Sequence, residues 1–247
     1  MSMFLSLAYL FFIGSVFGWV LELFFRKFFS GSNPEHKWIN PGFCVGPYVP
    51  LYGCGLCILY LLAALGDAEG YGSTDLGRAL LFLGMAVSMT AIEYVAGIFC
   101  LKVMKVRLWD YSKLWGNIQG LICPLFSLFW AVLGAVYYFF VHPHILTALI
   151  WLSNNLAFSF VIGFFFGVFV IDVAYSAHLV SRLKKFADEN DVIVKYENLK
   201  AHILSVREKA SLKTHFIFPF HTERNITEHL KEARDALEKT RDRIRKA

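Results

Sequence analysis

Five stretches of the chain, at about residues 4–25, 48–65, 79–101, 120–141 and 155–177, are apolar almost throughout. A helix needs roughly 20 apolar residues to cross the hydrocarbon of a bilayer, so each stretch is predicted to be one span. The fifth has room to begin as early as Thr147. The first lacks a basic n-region and a small-x-small cleavage site, and its apolar run is too long for a signal peptide, so it reads as an anchor. After residue 177 the pattern changes. Val192, Tyr196, Leu199, Ile203, Val206 and Ala210 recur at 4-3-4-3-4 spacing, and so do Ile226, Leu230, Ala233, Leu237, Thr240 and Ile244. That is the seam of a coiled coil. Between the runs lies a Phe-rich tip, Phe216 to Phe220, broken at Pro219. The tail is therefore expected to form an antiparallel helical hairpin, each arm about 30 Å long, or to dimerise. The tip suits insertion at a membrane surface, docking of a partner, or a packed turn.

Composition agrees with this pattern. Hydrophobic residues make up 57% of the 247, 25 of them Phe, and only 17% are charged. A soluble domain of this size does not need so much apolar surface. Residues 1–177 carry no net charge, and residues 178–247 carry the whole +5. The chain thus divides into a transmembrane domain, 1–177, and a basic tail, 178–247. A basic tail tethered beside a bilayer favours anionic headgroups over nucleic acid. Lys and Arg number three, one, four and none in the four loops and sixteen in the tail. Basic residues mark the cytoplasmic side, so the N-terminus is expected outside and the tail inside the cell membrane. The sequon at Asn225 would then be cytoplasmic. The five cysteines lie in or beside apolar stretches and read as small buried hydrophobes, not a disulfide framework.

Helices in lipid associate through small residues. Gly14 and Gly18 share a face of the first span with Glu22, Ala86, Thr90 and Gly97 share one of the third with Glu93, and Ser159, Gly163 and Gly167 line the fifth. Both acids should therefore point into the bundle. An ionised group at mid-membrane costs about 3 kcal/mol on insertion scales, which makes Glu22, Glu93 and Asp172 the acids to explain. Glu22 sits four residues before Arg26, so a helix-end ion pair accounts for it as well as a function does. Asp172, near its cytoplasmic end, could snorkel or pair with a tail Arg. Glu93 lies about eight residues, roughly 12 Å, inside its span and is the hardest to dismiss.

Residues 40–55 hold three Pro and four Gly, which will not make a regular helix. Irregular backbone at membrane depth survives only where protein or a water-filled cavity satisfies it. A re-entrant or unwound entry to the second helix is predicted there, able to hold a ligand through freed amides and carbonyls or to serve as a rigid lid. The third loop holds Trp109, Asp110, Tyr111, Ser112 and Asn117. Trp and Tyr suit the interface, and Asp110 or Ser112 could cap a short helix. The fold class is an all-α membrane protein of about five transmembrane helices with a re-entrant or broken Gly/Pro segment and a cytoplasmic hairpin tail.

Several of these motifs occur together in one order. Gly18-Trp19-x-x-Glu22 is followed by Asn40-Pro41-Gly42-Phe43 and by Gly46-Pro47-Tyr48-x-Pro50-x-Tyr52-Gly53-x-Gly55. Glu93-Tyr94, Trp109-Asp110-Tyr111-Ser112 and Asn117-x-x-Gly120-x-x-Cys123-x-x-x-Ser127 come after. Over about residues 4–140 the chain resembles the bacterial ABC-transporter type IV (permease-like) family of integral membrane proteins. The resemblance implies a permease-like component and marks Glu22, Asn40, Tyr48, Tyr52, Glu93, Tyr94, Trp109, Asp110, Tyr111, Ser112 and Asn117 as functional candidates. The chain departs from the pattern at Leu101, where a second acid follows Glu93, and at Leu121, where a basic residue is frequent.

The chain has no Gly-x-x-x-x-Gly-Lys-Ser/Thr loop and so is not expected to hydrolyse ATP itself. Neither His-Glu-x-x-His nor Gly-x-Ser-x-Gly occurs, no cofactor or metal is expected, and His142-Pro143-His144 reads as an outside turn. Three functions fit. A permease-like transmembrane component would take its energy from a separate ATPase subunit and, with five spans, would need a homodimer or a partner membrane chain. A membrane enzyme acting on a lipid or lipid-linked substrate would use Glu93, Asp110, Tyr52 and Glu22 as acid-base groups. A scaffold or sensor would signal through the coiled-coil tail. Catalysis is left open, and the family resemblance favours transport.

Overall fold

The computed structural model describes residues 2–30, 33, 35–189, 193–196 and 199–200. Helix α1 runs Met3–Phe28, α2 Pro50–Ala68 and α3 Asp75–Ile98. Helix α4 (Pro124–Val136) passes through one π-helical turn, Tyr137–Val141, into α5 (His142–Asn154), and α6 spans Ser159–Glu189. Among the described residues, five helical segments are long and apolar enough to cross a membrane: Met3–Phe28, Pro50–Ala68, Asp75–Val103, Pro124–Asn154 and Leu156–Lys185. Phe4, Phe160 and Ile171 are more than 70% exposed. Such a surface is costly in water and natural in lipid, and the chain is a multi-pass, all-α membrane protein. Among the described residues, sheet is confined to β1 (Val106–Arg107) paired in parallel with β2 (Val194–Lys195).

Local chemistry sets the helix starts. Pro50 and Pro124 open α2 and α4, where a missing N–H costs nothing. The Thr74 hydroxyl accepts the Gly77 amide at 3.0 Å, and Asp75 sits in the positive first turn of α3. The fourth span differs from expectation, because no turn forms at His142-Pro143-His144. Proline lacks an N–H and its ring clashes with the carbonyl four residues back. The π turn just before it widens the ladder, and the helix continues to Asn154. His142 is buried, with Nδ1 3.0 Å from the Tyr137 hydroxyl and Nε2 3.5 Å from Asp67 Oδ2.

The chain divides into two compact units. One comprises Met1–Trp19, Tyr48–Phe99 and Asp110–Ile171, and the other Val20–Pro47, Cys100–Trp109 and the chain from Asp172 onward. The first packs around Leu10, Leu59, Ala63, Leu81, Met85, Met89 and Tyr137. The second packs around Val106, Leu179, Val180, Leu183, Val194, Tyr196 and Leu199. Val194 and Lys195 form β2 rather than opening a heptad helix, since extended backbone there pairs with Val106–Arg107. Of the heptad positions only Tyr196 and Leu199 are described; the others, the Phe216 to Phe220 tip and Asn225 lie outside the described residues.

The small-residue faces, all in the first unit, differ in what they meet. A Cβ on Gly14 would meet Leu56 Cβ at 2.9 Å, and one on Gly18 would collide with the Tyr52 side chain, so α1 and α2 touch backbone to side chain. Ala86, Glu93 and Gly97 are buried on α3 as expected. The fifth-span face is corrected: a Cβ on Gly163 or Gly167 would meet nothing within 4 Å, because among the described residues no helix packs on that side. Gly18→Ala should therefore lower stability by about 1–3 kcal/mol through overpacking. Gly163→Ala should be neutral or stabilising by up to about 1 kcal/mol through helix propensity. Thermal unfolding of the two variants in one detergent checks the contrast.

Candidate functional site

The first unit holds a buried acid centre. Glu93, on α3, is 4% exposed. Its Oε1 accepts a hydrogen bond from the Tyr111 hydroxyl at 2.9 Å and its Oε2 one from Trp130 Nε1 at 2.9 Å. One turn earlier, Thr90 donates to the Ser127 hydroxyl at 3.0 Å, which ties α3 to α4 beside the acid. The Trp130 ring meets Tyr52 edge to face at 6.2 Å, and Tyr111 stacks on Phe126 at 4.3 Å. Glu93 and Tyr111, both expected, are thus brought together with Tyr52 nearby. Trp130 was not anticipated, since one Trp among the Phe and Leu of an apolar span carries no local signal.

The loop after Trp109 exists to aim Tyr111. The Asn117 side-chain amide donates to the carbonyls of Leu114 at 2.7 Å and Ser112 at 3.3 Å, and its oxygen accepts the Gly120 amide at 3.0 Å. The Tyr111 amide closes the loop on the Gly120 carbonyl at 2.8 Å. Asp110 is exposed and accepts both the amide and the hydroxyl of Ser112. This is a local turn and not the cap of a short helix that the sequence suggested, because residues 110–120 form turns and no helix. Tyr94 follows Glu93 on α3 and is half-buried, whereas Tyr48 is buried edge to face with Phe165 and Phe169.

The second unit holds the Gly/Pro loop. Ile39, Asn40 and Cys44 are each 1% exposed, so non-helical backbone is buried and must be satisfied from within. Asn40 Nδ2 donates to the carbonyls of Val45 at 2.8 Å and Cys44 at 3.4 Å. Asp172 accepts the amides of Val45 at 3.1 Å and Gly46 at 2.7 Å, and the Ser176 hydroxyl at 3.0 Å. Asp172, expected to snorkel or to pair with a tail Arg, is held among the described residues by oriented loop amides and Ser176. From the other direction, Lys200 Nζ donates to the carbonyls of Asn40 and Gly42, each at 2.9 Å, and the Tyr196 hydroxyl donates to the Phe43 carbonyl at 3.4 Å. Burial pushes the Cys44 thiol up to about 12, with Asp172 adding to the rise and Lys200 opposing it. Burial likewise pushes the Tyr196 phenol up. Glu22 pairs with Arg26 at 3.0 Å, four residues on, as the simpler reading of the sequence held. Trp109 is half-buried.

Asp172→Ala would leave two loop amides without their acceptor, at a cost of about 3 kcal/mol. Its unfolding temperature should fall and Cys44 should become alkylatable. In the wild-type chain Cys44 should resist alkylation at pH 8, as a buried thiol that stays protonated. Because the folded value is raised, folding is not penalised at pH below the ordinary thiol value of about 8.5. The penalty grows as pH rises through that value toward about 12. Alkylation kinetics and a pH series of thermal unfolding check both statements.

Comparison with curated proteins and with solved structures gives no match. A family model does match, over residues 9–177, and that span takes in Glu93, Tyr111, Trp130, the Gly/Pro loop and Asp172 but not Tyr196 or Lys200. With more than two-thirds of its length aligned, the chain belongs to the family described as "Putative ABC-transporter type IV".

Proposed function

We propose that the chain is the permease-like membrane component of a transport system whose energy comes from a separate ATPase subunit. The observation that carries this reading is the carboxylate of Glu93, buried inside a membrane span of a transporter-family chain and held at both oxygens by side chains from other elements. An acid at such depth is a functional candidate by default. The loop charges support an N-terminus outside and the tail inside the cell membrane, with the ATPase meeting the cytoplasmic loops or the tail. Five spans support assembly as a homodimer or with a partner membrane chain.

A second reading has one observation in its favour. The Tyr111 hydroxyl lies 2.9 Å from Glu93, a geometry suited to proton transfer in an enzyme acting on a lipid-linked substrate. Against it, Asp110 is occupied with Ser112.

Purification of the intact protein in mild detergent, with mass spectrometry of everything that travels with it, separates the readings. A stoichiometric ATPase is expected. Glu93→Gln should then lower nucleotide hydrolysis by that complex at least tenfold, while Tyr111→Phe, which loses one hydrogen bond to the acid, costs about 1–3 kcal/mol of stability. A lone oligomer carrying one defined lipid-linked molecule, turned over by the pure chain and not by Glu93→Gln, would overturn transport in favour of the enzyme.

A further inference from the structure

The loop at 40–46 gives its backbone to two side chains of opposite charge. Its amides at Val45 and Gly46 go to Asp172, and its carbonyls at Asn40 and Gly42 converge on the ammonium of Lys200, each at 2.9 Å. The Tyr196 ring lies 4.5 Å from the same nitrogen, and Lys200 is only 3% exposed. Two convergent carbonyls require N–H donors, and an aromatic face favours positive charge. Together they describe a receptor for an ammonium that still carries protons.

Lys200 does not by itself create that convergence. Gly42 has φ +75°, a left-handed conformation that glycine adopts without strain and that sets the direction of the following peptide. Asn40 draws in the carbonyls of Cys44 and Val45, and Asp172 fixes the two amides. All these constraints remain when the lysine side chain is taken away.

We propose that the loop at 40–46, together with Tyr196, is a binding site for a primary ammonium, and that Lys200 is its tethered occupant in this structure. A tethered group acts at millimolar effective concentration, so an external ammonium enters only when the Lys200 side chain leaves the carbonyls. The external ligand is a soluble primary amine or the ethanolamine headgroup of a lipid, which present the same –NH₃⁺. A quaternary ammonium is rejected because it has no N–H for the carbonyls. The site is independent of the transport reading, since it rests on the second unit alone.

The test uses the full chain with Lys200→Ala in phosphatidylcholine nanodiscs. The readout is the rate at which a neutral methanethiosulfonate reagent labels Cys44, followed by peptide mass spectrometry. Labelling should be at least fivefold faster than in the wild-type chain. Loss of a nearby positive charge disfavours the thiolate, so faster labelling reports access through the vacated site and not an activated thiol. Added ethylammonium should restore the slow rate, and tetramethylammonium should not. Protection when phosphatidylethanolamine replaces part of the phosphatidylcholine assigns the lipid as a source, and protection by ethylammonium alone assigns a soluble amine. Labelling of Lys200→Ala no faster than wild type, or equal protection by ethylammonium and tetramethylammonium, would overturn the proposal. If Lys200→Ala does not fold, Lys200→Met keeps the stem without the ammonium and must behave as described for the alanine variant. Labelling of the methionine variant as slow as wild type sinks the idea equally.

Discussion

The non-helical backbone at positions 40–46, buried at Asn40, Pro41 and Cys44 and partly buried at the other four residues, presents amides and carbonyls that no helix ladder can pair. Where water is excluded, an unsatisfied backbone group costs several kcal/mol, and this requirement governs much of the second unit. Asp172 from α6 supplies the acceptor for two amides, Asn40 supplies a donor for two carbonyls, and Lys200 and Tyr196 supply donors for three more. Parts of the chain more than 120 residues apart are drawn together to meet it. The parallel pairing of Val106 with Val194 and the cluster around Leu183 and Leu199 then pack where those polar contacts have brought them.

The same accounting explains how three acids persist among apolar helices. Glu22 is neutralised from its own helix by Arg26. Asp172 receives two oriented amides and a hydroxyl. Glu93 takes a phenol and an indole. Hydrogen bonds to a charged group contribute about 1.5–3 kcal/mol each, so two of them offset the insertion cost of about 3 kcal/mol. Two such donors go far to offset the burial of Glu93, and chemistry at the acid would have to displace or use them.

Much of the fold was legible in the sequence because lipid imposes a simple rule on hydropathy. The five spans, the α1–α2 contact at Gly14 and Gly18, the inward face of α3 and the irregular backbone before Pro50 all follow from it. What escaped was whatever depends on partners remote in sequence. Asp172 looks like any acid near a helix end, and its amides lie 126 and 127 residues away. Lys200 reads as a polar flank of a heptad seam, and the Gly42 carbonyl it bonds lies 158 residues back. The π turn at Tyr137–Val141 has the same hydropathy as an α-helix, so only the collision at Pro143 hints at it. Gly163 and Gly167 have the spacing of a packing face, but spacing alone does not say whether a helix or lipid lies opposite.

The third loop shows how a set of chemically suggestive residues can act through one of its members. Asp110, Ser112 and Asn117 are polar, close together and suited to acid-base or nucleophilic roles. Their hydrogen bonds, however, run to one another and to the loop backbone at Leu114 and Gly120. Tyr111 leaves the loop, stacks on Phe126 and delivers its hydroxyl to Glu93. A change at Asp110 or Asn117 therefore reaches the buried acid by moving a phenol. Chemistry or gating at Glu93 is in this way coupled to whether the loop keeps its shape.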